Sequence, residues 1–204
     1  MNYSTGKETQ ISHQLKSLGI CSASDLSYEN LCTVFNIDIH YHAGQSKCYF
    51  EDDYALIFLD KRLSYYEQRR VFFHELAHYL YHYGNQRKMP RQLLSLQEEQ
   101  ASYISLYLAM PRHIFEPALL KYQSVTLLQE VFDLPETMIV ERCNSLKRQR
   151  RRTVIQTKIQ HEQLKHRRKS LQPENIHKET KMMLHQLANQ VGEESMDYEI
   201  RRLL

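Results

Sequence analysis

Residues 65–83 read YYEQRRVFFHELAHYLYHY, a stretch without proline or glycine. Its apolar residues Val71, Phe72, Leu76, Tyr79 and Leu80 recur at the spacing of a helix with one buried stripe. Inside it lies His74-Glu75-Leu76-Ala77-His78, the pattern H-E-x-x-H. Positions i and i+4 share a helical face, so His74 and His78 can aim ring nitrogens at one ion. Glu75 is turned roughly 100° from His74. It can border the ion's open side, where a carboxylate could take a proton from a bound water. This is the mechanical content of the zinc hydrolase motif. The competing reading is a solvated amphipathic helix with two histidines on its exposed edge.

Working outward, Ser64 is the expected N-cap, with Glu67 completing a capping box, and Gly84 is the expected C′ residue. Upstream, Ile37 to His42 alternates at strand period, and Lys47 to Glu51 and Tyr54 to Leu59 read as two more strands around Asp52-Asp53. Before them, Ile11, Leu15 and Leu18 form a short helix ending at Gly19. Ser24-Asp25 opens another, carrying Leu26, Leu31, Val34 and Phe35. Downstream, residues 85–94 form a loop, and helices are expected over Ser95 to Ala109 and from Pro111 to Tyr122. A helix, a turn at Pro135 and a second helix follow, then a long polar helical segment to Ser170, broken by Pro173. Residues 174–204 can form one or two further helices. The fold class is α+β: mainly helical, with a small antiparallel sheet of about three strands.

At 204 residues the chain can bury one good core with an appendage. Met1 to Gln10 lacks the apolar core of a signal peptide, and no apolar run is long enough to span a bilayer. A cytoplasmic protein with no membrane partner is expected. Cys21, Cys32, Cys48 and Cys143 form no C-x-x-C pair and read as free thiols. The net charge of +3 is unevenly spread. Residues 1–146 hold 13 Lys and Arg against 17 Asp and Glu, whereas residues 147–170 hold 10 against the single acid Glu162. The expected division is an N-terminal segment (1–24), a metallopeptidase-like domain (25–146) and a basic helical extension (147–204).

Two histidines do not complete a catalytic zinc site, which needs three protein ligands and an open position. The extended pattern H-E-x-x-H-x-x-G-x-x-H is excluded, because its glycine slot holds Tyr81 and its third histidine slot holds Gly84. A carboxylate from the next helix remains, and Glu98-Glu99 opens that helix. Ala101, Ser102 and Ser105 are small, so it can pack closely on the first.

The pair H-E-L-A-H and E-x-x-A…L-A-M-P-R resembles the ImmA/IrrE family of zinc metallopeptidases over roughly residues 25–145. The family's second motif is similar to E-x-x-A-N-x-F-A…L-L-M-P. This chain keeps Glu98, Ala101 and Met110-Pro111, and departs at Ser102, Ile104 and Ser105. The resemblance implies one Zn²⁺ per chain held by His74, His78 and Glu98, with Glu99 the rival third ligand, and Glu75 as general base. It also implies a protein substrate: relatives of the ImmA and IrrE types cut repressors of a prophage, a mobile element or a stress response. His82 lies one further i+4 step along the helix and either borders the site or is a solvated or helix-C-terminal histidine. Tyr79, Tyr81, Tyr83 and Tyr103 include candidate oxyanion donors, and Tyr54 to Leu59 could offer a sheet edge to a peptide. Lys147 to Lys169 could contact nucleic acid, or is a solvated basic helix. The alternative function is a DNA- or protein-binding regulator, or a phage-associated protein, that keeps the peptidase fold without turnover.

Overall fold

A computed structural model describes residues 3–82, 90–170 and 176–204. The chain divides into two compact units, Met1–Leu146 and Lys147–Leu204. The first is an α+β body of helices and one small three-stranded sheet.

Helix α1 (Tyr3–Ser17) buries Ile11 and Leu15. It ends where Gly19 takes φ +80° and the Ile20 N–H returns to the Leu15 carbonyl at 3.0 Å, a glycine-dependent helix stop. Leu18 stays 42% exposed, so Ile20 rather than Leu18 completes the apolar stripe. Helix α2 (Tyr28–Phe35) starts later than Ser24, with Ser27 accepting from the Asn30 N–H at 3.3 Å. The Asp25 carboxylate instead accepts from the N–H groups of Cys21 and Ser22. Ser24–Leu26 form a short 3-10 helix, so the helix start read at Ser24-Asp25 is one 3-10 turn and the α-helix proper opens at Tyr28.

The sheet consists of β1 (Ile37–His42), β2 (Lys47–Glu51) and β3 (Tyr54–Asp60), in the order β1-β3-β2. β2 and β3 pair antiparallel across Asp52-Asp53, with Asp52 at φ +49°. β1 runs parallel to β3, so the expectation of a wholly antiparallel sheet is corrected to a mixed one. The cause is the apolar content of β3, which buries Ala55, Ile57 and Leu59 completely and takes the centre. Residues 43–46 therefore do not close a hairpin. They cross the end of β3, a span of two strand spacings or roughly 10 Å. Two bonds seal the crossing: the Asp60 N–H donates to Ser46 Oγ at 3.0 Å, and the Lys61 N–H donates to the His42 carbonyl at 2.9 Å.

Helix α3 (Tyr65–Tyr81) is capped by Ser64, whose hydroxyl accepts from the Glu67 N–H at 3.4 Å. The Glu67 carboxylate pairs with Arg70 at 2.7 Å. Gly84 and Pro173 lie outside the described residues. Helix α4 (Arg91–Ala109) begins one turn earlier than the sequence suggests, directly after Pro90. Helices α5 (Arg112–Tyr122), α6 (Val125–Phe132) and α7 (Glu136–Ser170) follow, with Asp133 at φ +54° in the α6–α7 turn.

Two arginines sit in the core, which apolar periodicity cannot reveal. Arg69 of α3 donates to the carbonyls of Leu26 and Phe132 and lies over the rings of Tyr28 and Phe73. Arg142 of α7 is the largest of the fully buried side chains. It donates to the Met110 carbonyl at 3.0 Å, pairs with the buried Glu8 of α1, and lies over Tyr107 and Phe115.

The second unit holds the remainder of α7, then α8 (Lys178–Val191) and α9 (Tyr198–Arg201). Ala188, Met196 and Leu203 are its buried apolar residues among those described. Every side chain from Arg150 to His166 is exposed. No helix among the described residues is long and apolar enough to cross a membrane.

The Glu8–Arg142 pair makes a stability prediction. Glu8→Ala should cost about 3–5 kcal/mol, because it strands a buried guanidinium, whereas Glu8→Met with Arg142→Met should lose far less. Denaturant unfolding of the three proteins tests this. Equal midpoints for wild type and Glu8→Ala would show that the ion pair does not secure α1.

Candidate active site

Helix α3 is the body's central element and packs on α4, β2 and β3. Its residues Phe72, Phe73, Leu76 and Ala77 are buried, so α3 has little freedom to rotate. Across from it, α4 presents Ala101 and Ser105, both buried. Residues three apart share a helical face, so the face that carries Ala101 also carries Glu98. Small side chains there let the two helix backbones approach.

That approach brings three groups together. Glu98 Oε2 lies 3.1 Å from His74 Nε2, and Glu98 Oε1 lies 3.5 Å from His78 Nε2. The two Nε2 atoms are 3.1 Å apart. A tetrahedral ion with bonds of about 2.0–2.1 Å requires donors about 3.3 Å apart, so these separations fit one ion without rearrangement. Among the described residues, His74, His78 and Glu98 form the group able to hold a metal, with one ligand atom from each within 4.8 Å of the others. Glu99 is exposed and is not part of this group. Two imidazole nitrogens at this distance cannot both present lone pairs to each other.

Burial, followed by the neighbouring His74, holds the His78 pKa down at about 4. His78 is therefore neutral near pH 7, the protonation state of a metal ligand. Its other ring nitrogen faces His82, with the two Nδ1 atoms 3.0 Å apart. His82 is itself buried. His82 is the C-cap of α3, as the helix-C-terminal reading has it, and it is also buried against His78 at the border of the cluster; the solvated reading falls. The signal was present in the spacing, since 74, 78 and 82 are successive i+4 steps on one face.

Glu75 lies beside the cluster and is largely shielded from solvent. Burial, reinforced by the charge of Glu98, raises its pKa to about 7, while a backbone hydrogen bond from Cys48 works against the shift. Burial and then Glu75 push the Cys48 thiol up to about 12. The cleft around these groups is walled by Gln45, Ser46, Lys47 and Cys48 on one side and by Arg70 and Ser102 on others. The sheet edge bordering this cleft belongs to β2, because β3 is paired on both sides. Tyr54 to Leu59 therefore offers no free edge. The tyrosine candidates also fall away from the cleft: Tyr79 donates to the Phe35 carbonyl, Tyr81 donates to Gln14 Oε1, and Tyr103 is 46% exposed. Tyr83 lies outside the described residues. Of the motif departures, Ser102 bonds back to the Glu98 carbonyl at 2.9 Å, and Ile104 and Ser105 are buried.

A family model described as Peptidase_M78, the IrrE N-terminal-like domain, matches residues 32–144. A comparison with curated proteins finds no match. The matched segment begins within α2 and ends within α7, and it contains the sheet, both helices of the cluster and the walls of the cleft.

The α3–α4 spacing is testable by overpacking. Ala101→Leu should destabilise the chain by about 1–3 kcal/mol and should weaken metal uptake by moving Glu98 away from the histidines. Thermal unfolding and metal titration check both effects. Wild-type metal affinity in a destabilised Ala101→Leu protein would show that the helix spacing does not set the cluster.

Proposed function

The chain belongs to the ImmA/IrrE metallopeptidase family of the IrrE N-terminal-like domain, and we propose that it is a zinc-dependent regulatory endopeptidase. Its target is a protein, specifically a helix-turn-helix repressor of a prophage or mobile element. The observation that carries the enzymatic part is the convergence of His74, His78 and Glu98 at tetrahedral separations beside the shielded Glu75. Two imidazoles and one carboxylate are a donor set suited to zinc. The repressor follows from the resemblance to anti-repressor peptidases.

In this reading His74, His78 and Glu98 hold the ion, and His82 orients the His78 ring. For His78 to ligate through Nε2, its proton must sit on Nδ1, so His82 accepts that proton's hydrogen bond at its own Nδ1. When bound, the ion acidifies a water and polarises the scissile carbonyl. Glu75 takes one proton from the attacking water and delivers it to the leaving amine nitrogen, so that its carboxylate is regenerated. An extended substrate segment pairs with the free edge of β2 at the cleft wall. A purely structural metal site would have no use for a shielded carboxylate beside its open face.

The test combines metal content with cleavage. Wild type should carry about one zinc per chain, and His78→Ala and Glu98→Ala should lose it. Glu75→Gln should keep the metal and cut about 10²–10⁴-fold more slowly, measured by co-expression with candidate helix-turn-helix repressors and detection of fragments. Metal-loaded wild type that cuts none of them would remove the repressor assignment. A chain that cannot be loaded with metal would remove the peptidase assignment.

A further inference from the structure

The basic part of α7 has no role in the peptidase chemistry. Residues 147–170 carry ten Lys and Arg and the single acid Glu162, on a helix whose side chains are exposed throughout from Arg150 to His166. Such a helix is costly to hold. Lys147 and Arg151, and likewise Arg148 and Arg152, are like charges one turn apart, which disfavours a helix. No packed face compensates between Arg150 and His166. A polyanion would relieve the repulsion.

The arrangement narrows the polyanion. At 100° per residue, Lys147, Arg151, Lys158 and Lys165 fall within a sector of roughly 40° and form a stripe about 27 Å long. Arg148, Arg150 and Arg152 point to other bearings, so the cations are not confined to one side. A helix with basic groups on several sides suits a groove walled by phosphates on both sides. The four large aliphatic residues, Val154, Ile155, Ile159 and Leu164, are spread around the axis and make no apolar face, which disfavours lying in a membrane surface. The stretch holds no Phe, Tyr or Trp, so it lacks the large aromatic platforms on which unpaired bases stack best. The major groove of B-form DNA is wide enough for an α-helix, whereas that of A-form RNA is not.

We propose that α7 from Lys147 to Lys165 is a binding surface for duplex DNA. It contacts the phosphate backbone through the stripe of Lys147, Arg151, Lys158 and Lys165. The contact is made chiefly by charge and does not depend on the metal site. It places the chain where a DNA-bound target would be found. The net negative charge of residues 1–146 leaves this segment as the source of attraction.

The experiment uses the full chain and a fluorescent 20-base-pair DNA duplex, with binding read by anisotropy between 50 and 200 mM salt. The four stripe contacts predict a slope of log affinity against log salt of about 3.6 or more in magnitude, at about 0.9 per contact, with any contact by Arg148, Arg150 or Arg152 on the opposite wall adding to it. The triple variant Arg151→Gln/Lys158→Gln/Lys165→Gln should reduce that slope by about 2.7. Arg151→Lys, which keeps the charge, should leave it in place. Circular dichroism of the triple variant confirms that the helix persists. Absence of binding at 100 mM salt overturns the proposal, as does an unchanged slope in the triple variant. Equal or tighter binding to duplex RNA, to polyglutamate or to phosphatidylserine vesicles overturns it in favour of those partners. Metal loss through His78→Ala should not affect DNA binding, so failure of the peptidase reading and failure of this one are separately visible.

Discussion

The structure depends on how closely α4 can approach α3. A carboxylate side chain is short, and Glu98 stands 24 positions beyond His74 in the chain. It reaches the two imidazoles only because Ala101 and Ser105 let the helices meet without bulky side chains between them. The rest of the body serves that contact. Phe72, Phe73 and Leu76 fix the rotation of α3, and Arg69 ties it to the carbonyls that follow α1 and end α6. Arg142 does the same for the far end of α4, through the Met110 carbonyl. The body therefore behaves as a clamp whose working distance is set by small residues and whose rigidity is set by buried aromatics and arginines.

Local periodicity carried much of this architecture. α3 and the three strands follow from residue spacing, because one buried face imposes a period of 3.6 or 2. What spacing could not show depends on partners distant in the chain. The direction of β1 is decided by which neighbour β3 accepts, and β3 sits in the middle because it is the most apolar strand. Arg69 and Arg142 read as ordinary surface arginines until the carbonyls and the carboxylate that receive them come from other elements. The helix start at Ser27 was obscured by Asp25, whose side chain competes for nearby N–H groups.

The site shows the same split. His74, Glu75 and His78 are legible from five consecutive residues, and Glu98 became legible once a second motif was set beside them. His82 was visible in the spacing, but its burial against His78 was not. The sheet edge expected at Tyr54 to Leu59 is lost because β3 pairs on both sides, a fact of strand order that residue spacing does not carry. The charge imbalance beyond Leu146 was plain in the sequence. The helix that carries it was legible too; the structure adds the exposure of every side chain from Arg150 to His166.

The crossing of residues 43–46 over the end of β3 limits how this cleft can diversify. Surface loops ordinarily tolerate insertions, and binding clefts are commonly retuned by changing them. This loop is a cleft wall through Gln45 and Ser46, and it is also a strap of fixed span held at Asp60 and His42. Gly44 lies so close under the His42 ring that a Cβ there would meet His42 Cε1 at 2.8 Å. Shortening the strap would pull β1 or β2 out of register with β3, and a side chain at position 44 would have to displace the His42 ring. Specificity can therefore drift most freely through the side chains of Gln45 and Lys47, while Ser46 and Gly44 are tied to the path of the strap and its span sets a minimum length.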